Sequence, residues 1–437
     1  MERGEDPHNI RLLDLNMPAN HTVINAIPKG MQFITVDITN SVAVEAAFRA
    51  PWTKSAISSS SSLIETAITV FHTAANIRFF ERHLELFDRS TRVNVIGTQN
   101  VINAARKVGV DVMIYTSSAS VGLRNLRLFF WPWEKESSKL VQIVTDDDTQ
   151  LPKRHEDFFS NYAASKFQAE AIVRASDNLP TGDTANKTLR TGCLRPGNAI
   201  FGPRGDMNCG AWLVRQFNPT WATSTVQSFT YVENCVAAHL CYEARLIELQ
   251  AGSKNPDIGG QAFAISDAGP PPTYGDMYTI METLTDGQCT FPHFSPTLMM
   301  ILAHLIEWYY RTQQSFVQRG SRFASLMPAL KGDLVILQPP IFPLVLVHFI
   351  IDDSRARLSP EKGGLGYEGS LTSTEGLYQT IDEYRSGVGL SDQRSDGAGF
   401  GLFRFWGKKP TKVKESRADN LVDAVPQFIL KEISNPP

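Results

Sequence analysis

The first 50 residues of this 437-residue chain contain only two glycines, Gly4 and Gly30. A phosphate cradle at a helix N-terminus is built from clustered glycines, so that stretch is not expected to hold one. Cysteine is sparse too. Cys193, Cys209, Cys235, Cys241 and Cys289 are odd in number and include no Cys-x2-Cys pair, which argues against a zinc module or a disulfide framework. They read as reduced thiols of a cytosol-facing protein, and no metal site is expected. A formal net charge of -3 leaves no basic field for nucleic acid, so no nucleic-acid partner is expected. The N-terminus shows no basic stretch followed by an apolar run, the pattern of a secretory signal. Long apolar segments are missing as well. Ser295 to Tyr310 falls short of the roughly 20 residues needed to span a bilayer, and Leu334 to Ile351 carries Pro339, Pro340 and Pro343, which interrupt helical hydrogen bonding.

What is present is a regular alternation. Hydrophobic content of 42% and charged content of 20% are those of an ordinary globular protein. Apolar runs at Ile10 to Leu15, Gln32 to Val36, Thr69 to His72, Val112 to Thr116 and Thr191 to Leu194 read as strands. Between them, Val42 to Arg49, Asp88 to Lys107 and Tyr162 to Asp177 carry apolar residues at helical spacing. Strand and helix in alternation predict an α/β fold, a doubly wound parallel sheet with helices on both faces. Ser58 to Ser62 reads as a solvated loop. From Phe201 the pattern loosens into loops, short strands and helices. Residues 1–200 are therefore expected to form the sheet domain and 201–387 a smaller region that lies over the sheet. Residues 388–437, rich in Gly, Ser, Lys and Asp, are expected to be a disordered tail.

Chemistry is suggested by Tyr162-Ala-Ala-Ser-Lys166, which follows the Ser118 of Tyr115-Thr-Ser-Ser-Ala-Ser-Val121. Tyr and Lys at i and i+4 stand one turn apart on one helix face. A cation beside a phenol favours phenolate and lowers a pKa of about 10. Tyr162 could then exchange a proton with a substrate hydroxyl near neutral pH, while Ser118, at a strand end, donates a hydrogen bond to the same oxygen. The plain alternative is an amphipathic surface helix.

Five further stretches set this pair in context: Val36-Asp37-Ile38-Thr39, Val70-Phe71-His72-Thr73-Ala74-Ala75, Val93-Asn94-Val95-Ile96-Gly97-Thr98, Leu194-Arg195-Pro196-Gly197-Asn198 and Tyr231-Val232-Glu233-Asn234 through His239. In this order the chain resembles the extended short-chain dehydrogenases/reductases, within the branch of 3β-hydroxysteroid dehydrogenases and sterol-4α-carboxylate 3-dehydrogenases. The resemblance runs from Ile10 to about Tyr384.

The resemblance implies a Rossmann-type fold and hydride transfer between a nicotinamide and a secondary alcohol, the 3β-hydroxyl of a steroid, sterol or triterpenoid. If that substrate carries a 4-carboxylate, oxidation is followed by decarboxylation. It implies Tyr162 as general acid/base, Lys166 as both ribose ligand and the group that lowers the phenol pKa, and Ser118 as the group orienting the substrate oxygen. The cofactor is expected against Asp14, Asp37, Ile38, Ala74, Ala75, Asn94, Tyr162, Lys166, Pro196 and Gly197. Asp14 ends the second strand of such a fold, where a carboxylate bonds a ribose 2′-hydroxyl and repels a 2′-phosphate. NAD is therefore expected, with NADP not excluded.

The family's first strand and Gly-x-x-Gly-x-x-Gly turn have no counterpart here. The start of the chain is thus expected to be a cut through the dinucleotide-binding domain, with the sheet open at its middle. Two alternatives stay open: the same chemistry on another apolar alcohol or ketone of secondary metabolism, and an inactive truncated derivative. The expected partner is an apolar small molecule. Peripheral membrane contact, in part through the aromatic stretch Leu126 to Trp133, and a homodimer are left open. The expected location is cytoplasmic, with the cytosolic face of the endoplasmic reticulum or of lipid droplets as the open refinement.

Overall fold

The computed structural model describes residues 5–18, 20–52, 67–125, 140–183, 187–203 and 205–386. The serine run at Ser58, the aromatic stretch at Leu126 and the tail from Val388 lie outside these residues.

Eight strands and seven helices carry the argument. In chain order they are β1 (Arg11–Asp14), β2 (Gln32–Thr35), α1 (Ser41–Arg49), β3 (Thr69–His72), α2 (Thr98–Lys107), β4 (Val112–Thr116), β5 (Val141–Val144), α3 (Asn161–Ala175), β6 (Thr188–Pro196), α4 (Val232–Gln250), β7 (Ala262–Ile265), α5 (Tyr274–Leu284), α6 (Pro296–Gln318), β8 (His348–Ile351) and α7 (Ser373–Arg385). Local chemistry sets the helix starts. The Asn40 side chain accepts from the Val42 and Ala43 N–H groups ahead of α1, and that of Ser160 from the Ala163 N–H ahead of α3. Reciprocal capping boxes, Thr273 with Asp276 and Thr372 with Glu375, open α5 and α7.

The main sheet runs β7-β6-β4-β3 in parallel, with Thr69 opposite Val112, Val112 opposite Arg190, and Ala262 opposite Cys193, and the short strand Leu179–Pro180 pairs antiparallel with the start of β6. A separate parallel ladder pairs β1 with β2, Arg11 opposite Gln32 and Asp14 opposite Thr35. Among the described residues no ladder joins the two. Side chains hold them together. Leu13 and Ile34 of the small ladder share one apolar core with Met113 and Tyr115 of β4, Val44 and Ala47 of α1, Val101 and Ala105 of α2, and Ala169 and Val173 of α3.

The opposite face of β4 presents Val112 and Ile114 to a second core, with Tyr242 and Leu246 of α4 and Phe263 and Ile265 of β7. Alternate residues of one strand thus enter cores on opposite faces, the strand periodicity of two at work. Every residue of β4 is buried, as the central strand of a doubly wound sheet requires. Fully burying side chains of this size contributes roughly 1.5–3 kcal/mol each.

The segment read as one helix from Asp88 to Lys107 is continuous but not uniform. A turn of α-helix (Asp88–Thr91) passes into a π-helical turn (Arg92–Gly97) before α2. The widened turn carries Asn94, whose side chain is buried. Gly97 lies so close to Ile38 that a Cβ there would meet its side chain at 2.7 Å.

The later half of the chain contributes β7 to the main sheet and packs α5, α7 and Phe201, Phe229 and Tyr231 into a further core. The apolar stretch from Leu334 breaks at its prolines into two short helices, Asp333–Ile336 and Ile341–Leu346, and then β8, which pairs with β5. Among the described residues no helix is long and apolar enough to cross a membrane.

Candidate active site

The C-terminal end of β4 lies against α3, and three consecutive residues there meet three successive turns of the helix. The Thr116 carbonyl accepts from the Lys166 ammonium at 2.6 Å. The Ser117 hydroxyl donates to Glu170 at 2.7 Å, and the Ser118 hydroxyl, which pairs with the Ser120 hydroxyl at 2.8 Å, lies beside the Tyr162 phenol. Tyr162, Lys166 and Glu170 are spaced four apart, so one helix face presents all three. Tyr162 and Ser118 are half-buried, whereas Lys166, Thr116, Ser117 and Glu170 are buried. The phenol and the Ser118 hydroxyl are thus the pair a substrate oxygen can reach.

The electrostatics differ from the sequence expectation in one respect. Packing around the phenol pushes Tyr162 up to about 12, against which the neighbouring Ser118 hydroxyl pulls. Lys166 is not what tunes it here. Burial pushes Lys166 itself down to about 7, with Cys193 and Glu170 pulling the other way. Its ammonium is directed at the Thr116 carbonyl and lies 4.3 Å from the centre of the Tyr115 ring. His72, at the end of β3, is pushed down to about 3 by burial and by the Lys166 charge, so it stays neutral. Its Nε2 pairs with the Thr98 hydroxyl at 2.9 Å. On the other side of β4, the Thr116 hydroxyl meets His239 Nε2 at 2.7 Å, while His239 Nδ1 bonds the Cys235 carbonyl.

The remaining residues singled out from sequence fall into two groups. Asp14, Asp37 and Ala74 are exposed, and Ile38 and Ala75 are half-buried, each just at or beyond the C-terminal end of its strand. The Asp14 and Asp37 carboxylates accept the N–H of Asn16 and Thr39, at 3.0 and 2.9 Å, and otherwise face outward. A carboxylate for a ribose hydroxyl beside a small apolar surface is a chemistry that fits the adenosine end of a dinucleotide, and Lys166 with Tyr162 fits the nicotinamide ribose end. The described residues contain no glycine-rich turn for the pyrophosphate between them.

Asn94, Pro196 and Gly197 are buried among protein groups. Asn94 accepts from the Asn76 N–H at 2.7 Å and donates to the Asn76 carbonyl and the Ser165 hydroxyl at 3.1 and 2.9 Å. It therefore clamps the loop after β3 onto α3, one residue from Lys166, rather than presenting its side chain to a ligand. Gly197 is held by its N–H to the Ile265 carbonyl and the Thr230 hydroxyl, and a Cβ would meet the Ser228 carbonyl at 2.3 Å. Its glycine is a packing requirement.

Sequence reasoning did not single out Glu170 or Ser117, and it marked Arg195 only as part of the Leu194 to Asn198 stretch. The signal was available in part, since Glu170 continues the i+4 spacing of Tyr162 and Lys166. Nothing local marked Arg195 as its partner.

The profile of the 3-beta hydroxysteroid dehydrogenase/isomerase family matches residues 3–289. The chain is similar to the 3beta-hydroxysteroid-dehydrogenase/decarboxylase isoform 1 of Arabidopsis thaliana, with 27% identity over 360 residues, 81% of this chain and 67% of that protein. It is 30% identical over 200 residues to the decarboxylating sterol-4-alpha-carboxylate 3-dehydrogenase of Candida albicans, covering 44% of this chain and 47% of that one. The Mus musculus protein of the same name is 26% identical over 269 residues, 60% and 65% of the two chains. The matches thus span about half to two thirds of the length of these relatives.

Among solved structures, a UDP-glucose 4-epimerase from Thermotoga maritima aligns over 89% of this chain and 93% of its own, with 16% identity and a TM-score of 0.52. MoeE5, solved in complex with UDP-glucuronic acid and NAD, aligns over 86% and 99% with 17% identity and a TM-score of 0.51. These two establish the fold, a Rossmann-type α/β architecture. With its family profile matched over well more than half its length, the chain belongs to the 3-beta hydroxysteroid dehydrogenase/isomerase family.

Proposed function

We propose that this protein is an NAD-dependent dehydrogenase that oxidises the 3β-hydroxyl of a steroid, sterol or triterpenoid. The observation that carries the reading is the meeting of the half-buried Tyr162 phenol with the Ser118 hydroxyl, with the Lys166 ammonium one helical turn on. NAD, when bound, would accept the hydride from the carbinol carbon. The hydroxyl proton passes to the Tyr162 oxygen as general base, and Ser118 donates a hydrogen bond to the same substrate oxygen, fixing its direction. Lys166 holds the nicotinamide ribose. Asp14 holds the adenosine ribose, and its carboxylate disfavours NADP.

Relatives named as decarboxylating sterol-4-alpha-carboxylate 3-dehydrogenases support a substrate with a 4-carboxylate. Oxidation at carbon 3 then makes a β-keto acid, which loses carbon dioxide without a further catalytic group. Incubating the purified chain with NAD and a panel of 3β-hydroxysterols, with and without the 4-carboxylate, tests the proposal. NADH and carbon dioxide in equal amounts from the carboxylated members support it, and no NADH from any member overturns it.

A sterol substrate comes from a membrane, and α6 offers a surface for one. Leu298, Ile301, Leu305 and Trp308 line its outward face and are each more than half exposed. Residues 295–332 carry Arg311, Arg319, Arg322 and Lys331, while the acid Glu307 is held by Arg82. An apolar, cationic segment suits peripheral contact with an anionic bilayer, at the cytosolic face of the endoplasmic reticulum or of a lipid droplet. Residues 201–387 would supply the substrate side of the site.

A further inference from the structure

Glu170 and Arg195 are a fully buried ion pair directly behind the site, at 1% and 0% exposure. The contact is bidentate: Arg195 Nη2 donates to Glu170 Oε1 at 2.6 Å, and its Nε to Oε2 at 3.0 Å. The second oxygen also accepts from the Ser117 hydroxyl at 2.7 Å. Arg195 reaches on to Asp148 at 2.7 Å, whose other oxygen pairs with Arg174 at 2.6 Å. Burial raises the Asp148 carboxyl, but Arg195 and Arg174 outweigh it and hold the group low. Four segments meet at this cluster: the end of β4, the loop at Asp148, α3 and the end of β6.

Burying such a cluster is a poor route to stability. Desolvating both charges costs about as much as their attraction returns, and apolar residues of equal volume often serve as well. What the cluster does supply is register. Thr116, Ser117 and Ser118 are gripped by Lys166, Glu170 and Tyr162, and the outer two contacts belong to the proposed chemistry. The middle one touches no reacting group, yet it fixes where the other two fall.

We propose that Glu170 is a positioning residue for the site, acting through Ser117 and Arg195 to lock the ends of β4 and β6 onto the helix that carries Tyr162 and Lys166; this rests on the roles proposed for those two residues. A side chain misplaced by about 1 Å can cost on the order of a hundredfold in rate, so a lock of this kind has a kinetic signature. It has an electrostatic one as well. Lys166 is faced by His72 from β3, Tyr115 and Thr116 from β4, Cys193 from β6 and Glu170 from its own helix. Of these, Glu170 supplies a carboxylate that favours the ammonium.

The test compares the full chain with Glu170→Gln, Glu170→Asp and Ser117→Ala, reading kcat and KM together with the titration of the Lys166 Nζ by nitrogen-15 NMR, assigned through Lys166→Arg. Glu170→Gln is expected to lower kcat by roughly 10- to 100-fold at little change in KM, and to move the Lys166 midpoint down by about one pH unit. Glu170→Asp, which keeps the charge, is expected to return the midpoint and part of kcat. Should Glu170→Gln not fold, Ser117→Ala removes a single hydroxyl and is expected to lower kcat by about threefold to tenfold. The proposal is overturned if Tyr162→Phe abolishes turnover while the Glu170 and Ser117 variants keep wild-type kcat and midpoint. If Tyr162→Phe keeps turnover, the proposed function fails instead, and an unmoved Nζ midpoint in Glu170→Gln would sink the positioning claim separately.

Discussion

The Lys166 ammonium donates to the Thr116 carbonyl at 2.6 Å, joining α3 to the end of β4 by a charge-assisted bond inside the protein. Burial acts in opposite directions on the two groups that this helix face presents. The phenol of Tyr162 is driven up by burial, and the lysine is driven down by the same cause.

One consequence is a directional pH dependence. With the phenol pushed up to about 12, the basic form that accepts a proton is scarce at neutral pH and grows as pH rises. The value of kcat/KM for alcohol oxidation is expected to climb steadily from pH 7 to pH 10, and that for ketone reduction, which needs the protonated phenol, to stay level, because a phenol at about 12 remains almost wholly protonated throughout that range. Initial rates in both directions across that range check it. A flat oxidation profile would show that Tyr162 does not limit proton transfer.

A second consequence concerns stability. Lys166 has a folded pKa of about 7, below its unfolded value, so the unfolded chain binds more protons between about pH 7 and pH 10. The penalty of burying this charge is full below pH 7 and disappears as pH rises through that window. Lys166→Met is therefore expected to stabilise the protein by about 2 kcal/mol at pH 6, after offsetting the lost Thr116 bond, while abolishing turnover. Denaturant unfolding at pH 6 and pH 10 checks this, with the gain shrinking toward pH 10. A loss of stability at pH 6 would mean that the Thr116 bond outweighs desolvation.

The third consequence lies at α6, whose Glu307 accepts both arms of Arg82 at 2.8 Å and His83 at 3.0 Å. Burial raises this carboxyl, but its hydrogen bonds and the neighbouring charges bring it down to about 2. A depressed carboxyl contributes stability above its unfolded value and loses it as pH falls through its folded one. Glu307→Gln is expected to destabilise by about 2 kcal/mol at pH 7, discounted for partial solvent screening, and by little at pH 2. Parallel unfolding curves at the two pH values decide it. An equal deficit at both would assign the effect to packing rather than charge.

The reading of strands from sequence was sharpest where burial was most complete. Thr69–His72 and Val112–Thr116 run as their apolar pattern indicates, because β4 is enclosed on both faces and leaves little choice of register. The spacing of Tyr162 and Lys166 and their meeting with β4 were legible for the same reason, since helix geometry alone puts i and i+4 on one face. Contacts between distant segments were not legible. Arg195 and Glu170, the clamp of Asn94 on Asn76 and Ser165, and the pairing of β5 with β8 all depend on how the chain packs, which no local pattern encodes. The lysine effect on the phenol was misjudged because sequence spacing brings the charges near but says nothing of the desolvation that opposes them.

The most direct measurement is the single-turnover oxidation of a 3β-hydroxysterol by the Tyr162→Phe variant, beside the unaltered chain, with NAD binding measured on both. The account expects hydride transfer to slow by about 10²- to 10⁴-fold, the usual worth of a positioned acid/base, with NAD affinity unchanged within a few fold. Wild-type turnover in the variant would contradict it.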